Sequence, residues 1–243
     1  MDLVIDIGNT AFKAALFREG AIISSGYWKD GETGPLPAWI ADFPAIGRAI
    51  LSSTRKDDAG LKRMLDKAGI RVMALDDRTP LPIANRYRST STLGRDRIAA
   101  AVGANFRFPG QNLLVIDAGT AITIDFVSAG NEYLGGNISP GLSMRFRCLH
   151  QQTHNLPLVE PADISYMMGE DTPGAIRAGV QYGIIFELDE YINRQKNRYP
   201  DLRVIMTGGD AKFFDKKLKN SIFVDPDLNL LGLHRILEYN VDI

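Results

Sequence analysis

The chain has 243 residues, 45% hydrophobic and 23% charged, an ordinary globular composition that excludes a disordered or fibrous chain. Its 28 Lys and Arg against 29 Asp and Glu give a net charge of -1, which argues against a broad nucleic-acid-binding face. A single cysteine, Cys148, excludes an intramolecular disulfide. No apolar run nears the ~18 residues of a membrane span, and acids at Asp2 and Asp6 stand where a signal peptide needs bases, so the expectation is a soluble cytoplasmic protein.

In chain order, Leu3-Val4-Ile5 reads as a strand that ends in Asp6-Ile7-Gly8-Asn9-Thr10, and 12–17 reads as its hairpin partner. A third strand is predicted over 21–28. Then follow a strand at 47–52, a helix at 58–68, a strand at 71–75 and an Ala-rich helix at 93–106. Residues 113–116 and 121–127 make a second hairpin around Asp117-Ala118-Gly119-Thr120. Ile176, Val180, Ile184, Leu188 and Ile192 recur at helical spacing, so 173–199 is predicted as one long helix. A strand at 203–207 runs into Gly208-Gly209-Asp210, and a helix at 230–239 closes the chain. Alternating strands and helices make the fold α/β.

LVIDIGNTAFKAALF at the start and LVIDAGTAITIDFV about half a chain later share one pattern, strand, Asp, Gly, Thr, strand, with one turn residue deleted. The repeat implies a duplicated two-domain chain, 1–111 and 112–243. Glycine lets such a turn approach a phosphate, its successive amides form an anion-binding nest, and Asn9, Thr10 or Thr120 can add donors. Asp6 can hold a hydrated Mg²⁺. One such turn alone is equally an ordinary hairpin; its recurrence favours the phosphate reading. Gly208-Gly209-Asp210 reads either as a close approach to a nucleotide base or ribose, or as a plain turn.

Neither a GxxxxGK[ST] loop nor a GxGxxG after a strand occurs, which removes two common nucleotide folds. His150 and His154 sit four apart, but with no glutamate base or third ligand they read as surface or packing residues rather than zinc ligands. Cys148 lacks a motif and is expected to pack. Asp96, in Leu93-Gly94-Arg95-Asp96-Arg97, is the best carboxylate for acid–base work, since exposed amides at a helix start stabilise its charge. A simple helix-start acid explains it equally from composition. Leu142, Met144 and Phe146 beside Arg145 read either as a contact with a partner chain or as core.

DIGNT at 6–10, LGRDR at 93–97, DAGTAITID at 117–125, GGNISPG at 135–141 and TGGDA at 207–211 occur in that order. The set resembles the type III pantothenate kinase family, of the acetate and sugar kinase/Hsp70/actin superfamily, from Val4 to the closing 226–233 segment. The resemblance implies a duplicated RNase H-like, actin-like ATPase fold with ATP bound in the cleft between its domains. It implies ATP contacts from Asp6, Ile7, Gly8, Asn9, Thr10, Ala11, Phe12, Lys13 and Thr120, and a monovalent cation, K⁺ or NH₄⁺, at Asp117. Pantothenate contacts fall on Tyr87, Gly94, Arg95, Asp96, Arg97 and Thr172, with Asp96 as proton acceptor and Mg²⁺ held through water at Asp6. A homodimer is implied as well. Departures are Thr90 where relatives commonly have Pro, Arg95 where a small residue is frequent, and GEDT at 169–172 in place of GxNT.

The implied reaction is ATP-dependent phosphorylation of pantothenate to 4'-phosphopantothenate, the first step of coenzyme A biosynthesis. A non-catalytic accessory factor of the same fold and another small-molecule kinase of the superfamily are the competing readings. Retention of Asp6, Asp96, Arg97 and Thr120 favours the enzyme.

Overall fold

The same hairpin opens each half of the chain. The computed structural model describes residues 1–8, 11–29, 35–53 and 59–240. In it β1 (Asp2–Ile7) pairs antiparallel with β2 (Ala11–Arg18), and β2 pairs antiparallel with β3 (Ala21–Lys29). After α1 (Leu36–Ala41), β4 (Arg48–Ser53) lies parallel to β1. After α2 (Ala59–Lys67), β5 (Arg71–Ala74) lies parallel to β4. A two-residue strand, β6 (Ala84–Asn85), and a 3₁₀ turn over Thr90–Thr92 lead into α3 (Arg95–Arg107).

The second half repeats this plan. Strand β7 (Leu113–Ala118) pairs antiparallel with β8 (Ala121–Ser128), and β8 neighbours β9 (Glu132–Pro140). Then come α4 (Leu142–Gln151), α5 (Thr172–Arg198) and β10 (Arg203–Thr207), the last parallel to β7. A short α6 (Ala211–Phe214), then β11 (Phe223–Val224) parallel to β10, precede α7 (Leu228–Tyr239). The strand orders β3-β2-β1-β4-β5 and β9-β8-β7-β10-β11 are therefore the same arrangement written twice, with β6 added beside β9. This is the duplicated RNase H-like α/β fold.

The duplication extends to burial. Leu3, Ile5 and Ile7 of β1 enter one core cluster with Leu36 and Leu65, while Leu114, Ile116 and Ala118 of β7 enter another with Ile176, Val180, Ile184, Leu188 and Ile192 of α5. The residues between them, Val4 and Val115, are buried as well. Strands covered on both faces read as continuous apolar runs, which is why the sequence shows LVI and LLVI without alternation. Asp6 and Asp117 fall at equivalent points, each on the face opposite its cluster.

The chain forms two compact units, Met1–Pro109 with Asn131–Leu134 and Asp227–Ile243, and Gly110–Gly130 with Gly135–Pro226. These units depart from the expected 1–111 and 112–243 at two places: Asn131–Leu134 and α7 belong to the first unit, where α7 packs on α3. Small residues explain that return, because Gly103 and Gly232 let the two helix backbones approach at a distance that side chains forbid. Strands β9, β6 and β11 and helices α1, α4 and α6 were not expected. The GGNISP part of the GGNISPG motif lies within β9, which is extended over all of Glu132–Pro140. Asp58, the first residue of the first expected helix, lies outside the described residues.

Candidate active site

In the first unit the turn is closed by the Gly8 amide donating to the Ala11 carbonyl at 2.9 Å, with Ile7 opposite Phe12 and Asp6 opposite Lys13. Asn9 and Thr10 lie outside the described residues. Asp6, Gly8, Ala11 and Lys13 are partly exposed there, whereas the Ile7 and Phe12 side chains are buried, Phe12 tilted against Trp28 at 5.1 Å. Of the expected ATP contacts, Ile7 and Phe12 thus offer only backbone.

In the second unit the equivalent turn is one residue shorter, and the Gly119 amide donates to the Ala121 carbonyl at 3.0 Å. Two further glycines rest on it. The Gly141 amide donates to the Thr120 carbonyl at 3.1 Å, and a Cβ at Gly141 would overlap the Gly119 carbonyl oxygen. Gly208 adopts φ +96°, and a Cβ there would overlap the Ala118 carbonyl oxygen and crowd the Asp117 carboxylate. The Asp210 amide adds a 2.8 Å bond to the Ala118 carbonyl, and burial pushes the Asp210 carboxyl above its ordinary value of 3.8. The GGNISPG and TGGDA segments therefore shape the turn that carries Asp117 and Thr120. Sequence reasoning gave their glycines no such task; a glycine that must approach another backbone was the available signal.

Of the residues expected to contact the acceptor, Tyr87, Gly94, Arg95, Asp96 and Arg97 lie within the first unit. Gly94 is the N-cap of α3 and makes no side-chain cap; instead Asp96 Oδ1 accepts from the Arg97 amide at 2.9 Å, among the orphan amides of the helix start. A Cβ at Gly94 would overlap that same oxygen, so glycine leaves the carboxylate its place. Arg97 is buried and sets its guanidinium 5.6 Å from the centre of the partly exposed Tyr87 ring. Arg95 donates from Nη1 to the Ser53 carbonyl at 3.0 Å, tying α3 to the end of β4. Asp96, Arg97 and Tyr87, read from separate stretches of sequence, are one neighbourhood. Helix N-terminal amides and a buried guanidinium make it suited to anionic groups.

Thr172 is exposed at the start of α5, in the second unit. Asp171 caps that helix by accepting from the Gly174 amide at 2.7 Å, a task that Asn performs equally, which accounts for GEDT in place of GxNT. Cys148 is exposed rather than packed: it lies on the outward side of α4, whose Leu142 and Phe146 are the buried residues. His150 sits near the end of α4 with Nδ1 2.8 Å from the Leu156 carbonyl, and His154 lies beyond the helix, so the two do not share a helical face. Among the described residues no group of three or more His, Cys, Asp or Glu is placed to hold a metal ion, and no helix is long and apolar enough to cross a membrane.

The type III pantothenate kinase family profile matches residues 2–194. A type III pantothenate kinase of Bacteroides fragilis is 46% identical over 240 residues, covering 99% of this chain and 98% of its own length. Among solved structures, a Sinorhizobium meliloti protein described as a 2-dehydro-3-deoxygalactonokinase superposes with a TM-score of 0.65 at 14% identity, with both chains covered in full. A Campylobacter jejuni protein described as a Baf family transcriptional activator gives 0.63 at 22% identity, covering 99% of this chain and 100% of its own. At those identities the two structures speak for the fold alone. The family profile and the full-length kinship carry more: the chain belongs to the type III pantothenate kinase family.

Proposed function

We propose that this protein transfers the γ-phosphoryl group of ATP to the primary hydroxyl of pantothenate, giving 4'-phosphopantothenate for coenzyme A biosynthesis in the cytoplasm. The observation that carries the reading is the gathering of Asp96, Arg97 and Tyr87 at the start of α3 in a chain of this family. Phosphoryl transfer needs in-line placement, neutralised phosphate charge and a base beside the hydroxyl, and little covalent help from the protein.

Each requirement has a residue. The amides of the two hairpin turns, with the hydroxyls of Thr10 and Thr120, bind and orient the phosphates. Asp96 orients the acceptor hydroxyl and takes its proton as the oxygen bonds to phosphorus and the bond to ADP breaks. A positioned carboxylate of this kind contributes on the order of 10²–10⁴ in rate. Arg97 and Tyr87 hold the acceptor, and Gly94, Arg95 and Thr172 complete its contacts.

The partly exposed carboxylates of Asp6 and Asp117 are hard oxygen donors, which fits the cations expected there. Asp6 would hold a hydrated Mg²⁺, which supplies charge neutralisation on the phosphates. Asp117, its surroundings kept open by Gly208, would hold K⁺ or NH₄⁺ to offset the negative charge of substrate and carboxylates together. A homodimer belongs to the same reading, and light scattering tests it. ATP-dependent phosphorylation measured across a panel of small alcohols tests the whole: pantothenate as the preferred acceptor is expected, and turnover of another alcohol in its place overturns the assignment.

A further inference from the structure

We infer that Tyr133 is a positioning residue for the acceptor site, holding Tyr87 against Arg97 without itself meeting a substrate. The inference rests on the reading of Tyr87 and Arg97 as acceptor-binding residues.

Tyr133 is wholly buried, at 0% exposure, so it cannot touch a bound molecule directly. Its ring lies 6.1 Å from the Tyr87 ring at a tilt of 58°, within the range of favourable aromatic pairs. Tyr87 in turn meets the Arg97 guanidinium at 5.6 Å, a cation–π distance, and Arg97 adjoins Asp96 in the first turn of α3. A continuous line of contacts thus runs from the core through Tyr133 and Tyr87 to the residues proposed to do the chemistry.

The backbone holds the same line. Strand β6 has two residues and cannot order itself. It is held by the start of β9: Ala84 lies opposite Glu132 and Asn85 opposite Tyr133, the Ala84 amide donates to the Asn131 carbonyl, and the Arg86 amide donates to the Tyr133 carbonyl, both at 2.9 Å. Arg86 also meets the Glu132 carboxylate at 2.8 Å. The Tyr87 amide donates to Asn85 Oδ1 at 3.0 Å, so the residue that leaves the ladder is fixed at its own nitrogen. Asn131–Leu134 belong to the same compact unit as Tyr87 and α3, although the rest of β9 belongs to the other. Those four residues act as a clamp on the acceptor stretch. Loss of the Tyr133 ring opens space beneath Tyr87 and lets it leave Arg97; a displacement near 1 Å costs about 10²-fold in an oriented reaction.

The test is steady-state kinetics on Tyr133→Leu and Tyr133→Phe, with both substrates varied. Tyr133→Leu is expected to raise the pantothenate KM about 10-fold while the ATP KM stays within about twofold, and Tyr133→Phe, which keeps the ring, is expected to restore the pantothenate KM. A purely structural role gives a smaller active fraction, so a fall in kcat with both KM values unchanged overturns the inference, as does an equal rise in both. If Tyr133→Leu does not fold, Asn85→Ala decides, because that partly exposed position releases the Tyr87 amide without emptying the core; an unchanged pantothenate KM there overturns the clamp. The wild-type enzyme separates this from the functional reading. If it phosphorylates another alcohol instead of pantothenate, the acceptor assignment fails, and the same comparison made with that alcohol still tests Tyr133.

Discussion

Gly103 of α3 and Gly232 of α7 meet backbone to backbone: a Cβ on Gly232 would lie 2.8 Å from the Gly103 amide nitrogen and would overlap the Ala99 carbonyl oxygen. This contact joins the helix bearing Asp96 to the end of the chain. Gly232→Ala, harmless to an isolated helix, must push α7 off α3. It is expected to cost about 1–3 kcal/mol as overpacking, read from the urea midpoint, against a gain of several tenths to 1 kcal/mol if the site had room. An unchanged or raised midpoint would show that the helices tolerate the methyl group.

Acid should weaken the first unit through the start of β1. His234 is 2% exposed, stacks on Phe17 at 4.0 Å, and donates from Nε2 to Asp2 at 3.1 Å; its Nδ1 has no hydrogen-bond partner, with Glu238 at 3.7 Å. Burial, opposed by Glu238 and Asp2 and aided by Arg235, holds the imidazole below its ordinary value of 6.5. Burial pushes the Asp2 carboxyl up, but its two bonds to Arg48, at 2.6 and 2.8 Å, and the one to His234 leave it below 3.8. A lowered histidine means that the unfolded chain takes up a proton first, so stability falls as pH drops below about 6.5, and Asp2 adds a second loss below about 3.9. Urea titrations from pH 8 to pH 5 should show the first slope, and His234→Leu should flatten it. A slope that persists in the variant would assign it to other groups.

Thr120 sits in the shorter turn with Gly141 beneath it. Thr120→Val keeps the shape and removes the hydroxyl proposed to donate to a phosphate, so ATP affinity should fall by about 1.5–3 kcal/mol while pantothenate affinity changes little. Calorimetry giving wild-type ATP affinity would return this turn to an ordinary hairpin.

The space beside Asp117 is the next point of test, because Gly208 stands where any side chain would crowd its carboxylate. Activity at constant ionic strength and saturating Mg²⁺ should fall when K⁺ is replaced by Na⁺, and Asp117→Asn should abolish the difference. Equal rates in all salts would give Asp117 another task.

The duplicated hairpins were legible in the sequence because an apolar run, Asp, Gly and Thr each have a local reason to stand there. The lone helix-start acid, Asp96, was legible for the same cause. What failed to show is non-local. Nothing in 131–134 announces that it will clamp Ala84–Arg86, and nothing in 228–239 says that this helix returns to the first unit. Nor does the sequence show why glycine stands at 136: inside β9 a side chain there would overlap the Ile124 carbonyl oxygen of the neighbouring strand. Cys148 is apolar enough to expect inside, but the register of α4 was set by Leu142 and Phe146 and turned it outward.

The central claim is that Asp96 accepts the proton of the attacking hydroxyl, and single-turnover phosphorylation by Asp96→Asn tests it most directly. The asparagine keeps the shape at the start of α3, so ATP binding should remain while the rate falls by at least about 10²-fold. A rate close to that of the wild type, with both substrates bound, would contradict the account.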